Sequence, residues 1–218
     1  MCEREKVQTL QRGMNFRLNP NYSVILMSRR SNAPYRDRVL EDGKTIIYEG
    51  HDAFNTTGVE PKNIDQPIKT PNGKLTQNGL FILAVEKYKQ GESKPEQVRV
   101  YEKILDGVWS LKGTFELLDS RYENDGKRKV VLFKLKLAED QEQQNQDEPD
   151  FEHTRLIPSE VKKAVYKRDR GVCVLCKSIE NIHFDHDLPF SLGGTSLTEK
   201  NIRLLCAKCN LAKSDKIE

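Results

Sequence analysis

Aromatic residues make up only 7% of this 218-residue chain, and it contains a single tryptophan. No apolar run approaches the roughly 18 residues that a membrane-spanning helix needs, which excludes a helical membrane protein. The opening Met1-Cys2-Glu3-Arg4-Glu5-Lys6 lacks the apolar stretch of a secretory signal, so a cytoplasmic protein is expected. A Gly-rich phosphate loop is also missing. Net charge is slight, with 36 Lys+Arg against 33 Asp+Glu giving +3. Yet 36% of the residues are hydrophobic, too many for wholesale disorder. At about 100 to 200 residues per domain the length allows one domain or two small ones.

The small net charge conceals segregation. Residues 1–137 carry 24 basic and 18 acidic side chains, residues 138–153 carry none and seven, and residues 154–218 carry 12 and eight. The regional charges are therefore +6, −7 and +4. The middle stretch has almost nothing apolar to bury, which predicts an extended, self-repelling linker at a domain boundary. A DNA-mimicking autoinhibitory tail is the alternative for the same composition.

Four of the five cysteines form two pairs, Cys173-x-x-Cys176 and Cys206-x-x-Cys209, with Cys2 left over as an incidental thiol. In a chain without a secretion signal this spacing points to one tetrahedral structural Zn2+ rather than disulfides. Two intervening residues let both thiolates of a pair reach one ion, and so small a C-terminal region needs such a staple. Between the pairs lies Ile182-His183-Phe184-Asp185-His186-Asp187, holding two of the chain's four histidines, then the turn Gly193-Gly194 and a run that includes Asn201. The pattern predicts a helix over about 158–169, a knuckle, a β-hairpin around the His-Asp-His cluster and a short C-terminal helix.

Asp185-His186, the Gly-Gly turn, Asn201 and Cys206-x-x-Cys209-Asn210-x-x-Lys213 resemble the HNH nucleases, a ββα-metal fold with zinc knuckles. The resemblance implies His186 as the general base, Asp185 and Asn210 as ligands of one divalent cation, and Asn201 as the residue bracing the histidine loop. Asn210 stands where the family usually has its final histidine, and its oxygen makes Mg2+ or Mn2+ more credible than a second zinc. The residue types suit phosphodiester hydrolysis. An imidazole titrates near neutral pH and can take a water's proton, and an oxygen-ligated cation offsets charge on the phosphate oxygens. His183 is open between a phosphate contact and a structural hairpin residue.

From Tyr22 onward the N-terminal region reads as short β-rich runs at 22–27, 45–48, 98–101, 108–111 and 129–137, separated by turn residues. They predict a mostly antiparallel barrel or sandwich. The run at 79–85 is compatible with a strand or with a helix starting after Leu75-Thr76-Gln77-Asn78. Residues 1–22 signal no more than a short helix or arm. In 129–137, Lys134 and Lys136 alternate with Phe133, Leu135 and Leu137, predicting one basic and one buried face.

The order Asp42-Gly43, Tyr48-Glu49-Gly50, Lys74-Leu75-Thr76-Gln77-Asn78, Val98-Arg99-Val100 and Leu105-Asp106-Gly107 resembles the SRA, or YDG, family, with Leu105 in place of the eponymous tyrosine. That family folds as a PUA-like β-barrel with flanking helices and flips modified cytosine out of duplex DNA. The resemblance implies that Tyr35 and Tyr48 sandwich the flipped base and that Asp37, with Asp42 as its rival, accepts from the cytosine amine. Arg29, Arg30, Arg36 and Arg38 would hold DNA backbone phosphates, as would Lys213 in the C-terminal region. The loop over 53–72, with Pro61, Pro67 and Pro71, would enter a groove.

The expectation is an α+β chain in three parts: an SRA/YDG-like modified-cytosine-binding domain at 1–137 with its core at about 20–137, an acidic flexible linker at 138–153, and an HNH nuclease domain at 154–218. Together they imply a modification-dependent restriction endonuclease of the type IV or IIM kind, acting on double-stranded DNA that contains 5-methylcytosine or 5-hydroxymethylcytosine. Cutting both strands would require a homodimer. The alternatives are an HNH nuclease indifferent to modification and a non-catalytic modified-DNA-binding zinc protein.

Overall fold

The computed structural model describes residues 1–31, 33–54, 60–138, 156–189 and 192–213. The chain is α+β and divides into two compact units, Met1–Glu142 and Gln143–Glu218. The division falls inside the expected acidic linker, of which all but Ala138 lies outside the described residues. Among the described residues no helix is long and apolar enough to cross a membrane.

The N-terminal unit is built on a seven-stranded sheet with strands β1 (Met14–Asn19), β2 (Tyr22–Met27), β3 (Arg38–Val39), β4 (Thr45–Glu49), β5 (Glu96–Leu105), β6 (Val108–Asn124) and β7 (Lys129–Leu137), in the spatial order β1-β2-β5-β6-β7-β4-β3. All neighbours are antiparallel except β2 and β5, where Ser23 to Met27 run parallel to Val98 to Glu102. Helix α1 (Cys2–Glu5) precedes the sheet and α2 (Gln77–Lys89) lies between β4 and β5. The ambiguous run at 79–85 is thus helical. The Thr76 hydroxyl accepts from the Gly79 N–H as the helix cap, and Phe81 and Val85, four residues apart and so on one face, are both buried. Phe81 packs edge-on against Phe133 of β7 and Phe16 of β1, with ring centres 5.7 and 5.4 Å apart.

The sheet curls strongly. Three strands separate β2 from β4 in the ladder, so a flat sheet would place them about 19 Å apart. Instead the Tyr48 hydroxyl of β4 reaches the Leu26 carbonyl of β2 at 3.4 Å. The Asp37 carboxylate accepts from both Ser28 N–H, just past β2, at 3.2 Å and Glu49 N–H, at the end of β4, at 3.1 Å. Side chains close a gap that strand pairing leaves open. On β7 the expected alternation holds, with Lys134 and Lys136 exposed and Phe133, Leu135 and Leu137 buried. Lys136 stands in register opposite Glu116 and Lys134 opposite Asp119 of β6. The first strand, and β6 beyond the expected run at 108–111, are additions to the sequence reading. Both carry enough polar residues to read as loop or arm, and both gain partners only through the sheet.

The C-terminal unit contains α3 (Ser159–Arg168), the antiparallel pair β8 (Ile182–His186) and β9 (Ile202–Cys206), and α4 (Ala207–Lys213). Val165 of α3 packs on Ile202 and Leu204 of β9, all three with no exposed surface. Cys173, Leu205 and Cys206 form a second small cluster beside it.

Candidate functional sites

The C-terminal site is organised by the hairpin. The four sulfurs of Cys173, Cys176, Cys206 and Cys209 lie within 4.8 Å of one another. A tetrahedral ion with Zn–S bonds of about 2.3 Å needs sulfurs roughly 3.8 Å apart, so the cluster fits a metal with little movement. Burial raises the Cys173 thiol, but N–H groups of Cys176, Cys206 and Leu175 outweigh it and bring it down to about 6. The Cys209 N–H holds the Cys206 thiol below its ordinary value as well, whereas hydrogen bonding to Cys206 pushes Cys209 up to about 12. Crowded thiols that cannot all ionise are what a cation would relieve.

Asp185 and His186 are adjacent on β8, so their side chains leave opposite faces of the strand. The His186 ring, only 9% exposed, hydrogen-bonds through Nε2 to the fully buried Ser196 hydroxyl at 2.8 Å. Asp185 faces α4, where its Oδ2 accepts from the Lys213 ammonium at 2.6 Å. The same ammonium donates to the His186 backbone carbonyl. Lys213, expected on the DNA backbone, is therefore placed inside, with a side chain 1% exposed, because the last turn of α4 packs it onto the hairpin. Asn210 lies three residues before Lys213 and so on the same side of α4, the side that meets β8. His183 is exposed on β8 opposite Leu205.

Asn201 uses its whole carboxamide on the loop between the strands. Its Oδ1 accepts from Leu188 N–H at 2.8 Å, and its Nδ2 donates to the carbonyls of Leu188 at 3.2 Å and Thr195 at 2.9 Å. Gly194 permits this close approach, since a Cβ there would sit 1.9 Å from the Leu188 oxygen. Gly194→Ala is therefore expected to lower the stability of this unit by about 1–3 kcal/mol through overpacking, read as a fall in its thermal midpoint. An unchanged midpoint would mean that the loop does not approach so closely.

In the N-terminal unit, Tyr35, Asp37, Tyr48 and Glu49 converge where the sheet closes. Tyr48 is 1% exposed, so it is a core residue here rather than an open platform. Its hydroxyl lies 3.0 Å from Nε2 of His51. The His51 ring stacks on Tyr35, with centres 4.9 Å apart and planes at 4°, and burial lowers its pKa to about 4. The Lys62 ammonium also lies 4.3 Å from the centre of the Tyr35 ring. Burial, outweighing the N–H groups of Glu49 and Ser28, raises the Asp37 carboxyl to about 7. The rival Asp42 sits at the opposite end of β4, where its carboxylate accepts from Lys44 N–H and from the N–H and hydroxyl of Thr45 to shape the β3–β4 turn.

Sequence reasoning missed the polar scaffold behind these residues. Gln66 donates to the Glu49 carboxylate at 3.3 Å and the Gly50 carbonyl at 2.6 Å, and its own carbonyl accepts from Val131 N–H at 2.9 Å. Arg128, with a side chain 1% exposed, donates to Asp52 and to the carbonyls of Pro61 and Ile64. The described part of the proline-containing loop is thus tied to β7, while residues 55–59 lie outside the described residues. A buried arginine flanked by an Asp and a Gln distant in sequence leaves no periodic signal.

The arginines expected on phosphate are mostly engaged. Arg29 pairs with Glu102 at 2.8 Å, Arg30 with Asp106 at 2.5 Å, and Arg36 with Glu49 at 3.0 Å and Glu123 at 3.7 Å. Arg38 is exposed on β3. The Arg30 pair engages the Leu105-Asp106-Gly107 turn, where Gly107 takes a φ of 75°.

The hairpin, the cysteine cluster and α4 coincide with one family. The family model described as HNH endonuclease matches residues 173–216. The C-terminal unit is HNH-like. Among solved structures, the chain is similar to the SUVH5 SRA domain in complex with hemi-methylated CG DNA (21% identity, 60% of this chain and 76% of that chain, TM-score 0.40). It is also similar to the modification-dependent TagI restriction endonuclease (18% identity, 95% and 71%, TM-score 0.39) and to KRYPTONITE in complex with mCHG DNA and SAH (16% identity, 63% and 30%, TM-score 0.40). No curated protein matches the chain.

Proposed function

We propose that the chain is a modification-dependent DNA endonuclease, with a modified-cytosine reader in the N-terminal unit and an HNH nuclease in the C-terminal unit. The observation that carries it is the hairpin constellation: Asp185 beside Lys213, His186 on Ser196 and Asn201 across the loop, within the HNH-like segment. His186 acts as the general base. The tautomer that donates from Nε2 to Ser196 places the basic lone pair on Nδ1, from which it takes the proton of an attacking water. Ser196 and Asn201 hold the imidazole and its loop. Asp185 and Asn210 supply a carboxylate and a carboxamide oxygen, a donor set that suits Mg2+ or Mn2+. Such a cation, when bound, stabilises negative charge on the phosphate oxygens. The Lys213 ammonium meanwhile aims the Asp185 carboxylate. Zn2+ on the four cysteines is structural.

In the reader, Tyr35 offers an aromatic face and Asp37 a carboxyl poised near neutrality. The ionised form accepts from the cytosine amine, and the protonated form in addition donates to the ring nitrogen of the same edge. Arg38, with Arg29, Arg30 and Arg36 once released from their carboxylate partners, would meet phosphates. One HNH site cuts one strand, so cleavage of both strands calls for two protomers. Thiol-ligated zinc and a DNA substrate suit the cytoplasm, and the activity suits a type IV or IIM restriction enzyme.

The test is cleavage of a plasmid carrying 5-methylcytosine, one carrying 5-hydroxymethylcytosine and an unmodified copy, each with magnesium. Cutting confined to the modified plasmids is expected. Equal cutting of all three would leave an HNH nuclease indifferent to modification, and no cutting with any divalent cation would leave a DNA-binding zinc protein.

A further inference from the structure

The lone histidine of the N-terminal unit occupies a position that its sequence context does not announce. His51 follows β4 directly, and its backbone is held on both sides by one residue: His51 N–H donates to Asn78 Oδ1 and Asn78 Nδ2 donates to His51 O, each at 2.8 Å. Asn78 lies in α2 and is itself buried. The backbone at His51 is thus fixed, and the imidazole is the part left to turn about its side-chain bonds. That ring contacts both tyrosines of the reader, stacked on Tyr35 at 4.9 Å and 4° and tilted against Tyr48 at 6.2 Å and 33°. It also hydrogen-bonds to the Tyr48 hydroxyl at 3.0 Å. Gly13 supplies the floor, since a Cβ there would lie 2.4 Å from Nε2 of His51 and 2.9 Å from the Tyr48 hydroxyl.

A planar, heteroaromatic ring, stacked face to face on a tyrosine and hydrogen-bonded at its edge, makes the contacts a flipped pyrimidine would make. Burial keeps this ring uncharged at neutral pH, which removes the cost of enclosing a cation there. We propose that His51 holds the place of the flipped base in the DNA-free protein and must swing away from Tyr35 and Tyr48 before a modified cytosine can enter. This rests on the reading of the N-terminal unit as a base-flipping reader. The imidazole then acts on the occupancy of the pocket. Every base has to displace the same stack and the same hydrogen bond, so the imidazole lowers the occupancy of the pocket for all bases alike, and the preference for a modified cytosine comes from the contacts made once it is inside.

The experiment uses the full chain without added magnesium. Histidine Cε1–H resonances are followed by NMR, the His51 signal being assigned by its loss in His51→Ala, while short duplexes with and without one 5-methylcytosine are titrated in. In the free protein the ring current of Tyr35 shifts the His51 signal upfield. On adding the methylated duplex it is expected to return towards the position of an unstacked histidine. His51→Ala is expected to bind the methylated duplex about three- to tenfold more tightly, the size of one lost aromatic contact, with no loss of preference over the unmodified one.

A discriminating complex in which the His51 signal stays upfield would overturn the proposal. So would a His51→Ala protein with an unchanged thermal midpoint that binds the methylated duplex more weakly, because the imidazole would then be touching the base rather than standing in for it. If the wild type binds both duplexes equally and both release His51, the displacement stands and the modified-base reading fails. If it binds both equally and neither moves the signal, both fail.

Discussion

Replacing His186 with alanine is expected to lower the rate of DNA cleavage by about two to four orders of magnitude, the usual worth of a positioned general base, while binding of modified DNA stays within twofold. The separation follows from the division of the chain, since His186 belongs to Gln143–Glu218 and the reader residues to Met1–Glu142. Alanine also leaves the Ser196 hydroxyl buried without its imidazole partner, a loss of about 1–3 kcal/mol, so the variant needs a fold control. His186→Gln keeps a polar group in reach of Ser196 but has no titrating nitrogen. Both variants should be inactive, with the glutamine form retaining more of the thermal midpoint. Ser196→Ala is expected to be milder, because it loosens the ring without removing the base. Cleavage rates on a modified plasmid, measured beside the melting of each variant, check this, and a glutamine variant that cuts at the wild-type rate would take His186 out of the base role.

Stripping the metal from the cysteine cluster, or replacing Cys173 with serine, is expected to unfold the C-terminal unit and leave the N-terminal sheet intact. The cluster ties together three pieces of chain: the turn after α3 through Cys173 and Cys176, the end of β9 through Cys206, and the first turn of α4 through Cys209. Among the described residues the apolar core of this unit is two small clusters around Val165 and Cys173. A core of this size supplies about 3–5 kcal/mol at most, whereas a structural zinc site is worth about 10–16 kcal/mol in apparent binding free energy. Hydrogen exchange should show amides of β8, β9 and α4 losing protection on metal removal while β2, β5, β6 and β7 keep theirs. Cleavage should vanish with the hairpin, because Asp185 and His186 are held by it. Elemental analysis should return one zinc per chain. Full protection of β8 and β9 in metal-free protein would show that the thiols pack as ordinary core groups.

Much of the molecule was legible because its signals are local. The paired cysteines announce their own geometry, since a two-residue spacer brings two thiolates to one ion whatever surrounds them. The runs at 22–27 and 129–137 coincide with β2 and β7 because a strand's two faces are written into alternate residues. The same alternation, Met14-Asn15-Phe16-Arg17-Leu18, was present in β1 and passed for an arm. At 79–85 the apolar residues fitted a strand or a helix equally, and the choice fell to the Thr76 cap and to the burial of Phe81 and Val85 on a single face.

The HNH resemblance, the pairing of the cysteines and most of the strands can be read from the sequence, because each depends on residues a few positions apart. Which side chains meet where the chain returns upon itself follows from the fold. Curling of the sheet brings Asp37 to the ends of both β2 and β4 and sinks Tyr48 into the core. The last turn of α4 carries Lys213 inward to Asp185, and the strand exit after β4 lays His51 on Tyr35. Burial and long-range contact set these roles, and neither is a property of the neighbouring residues in the chain.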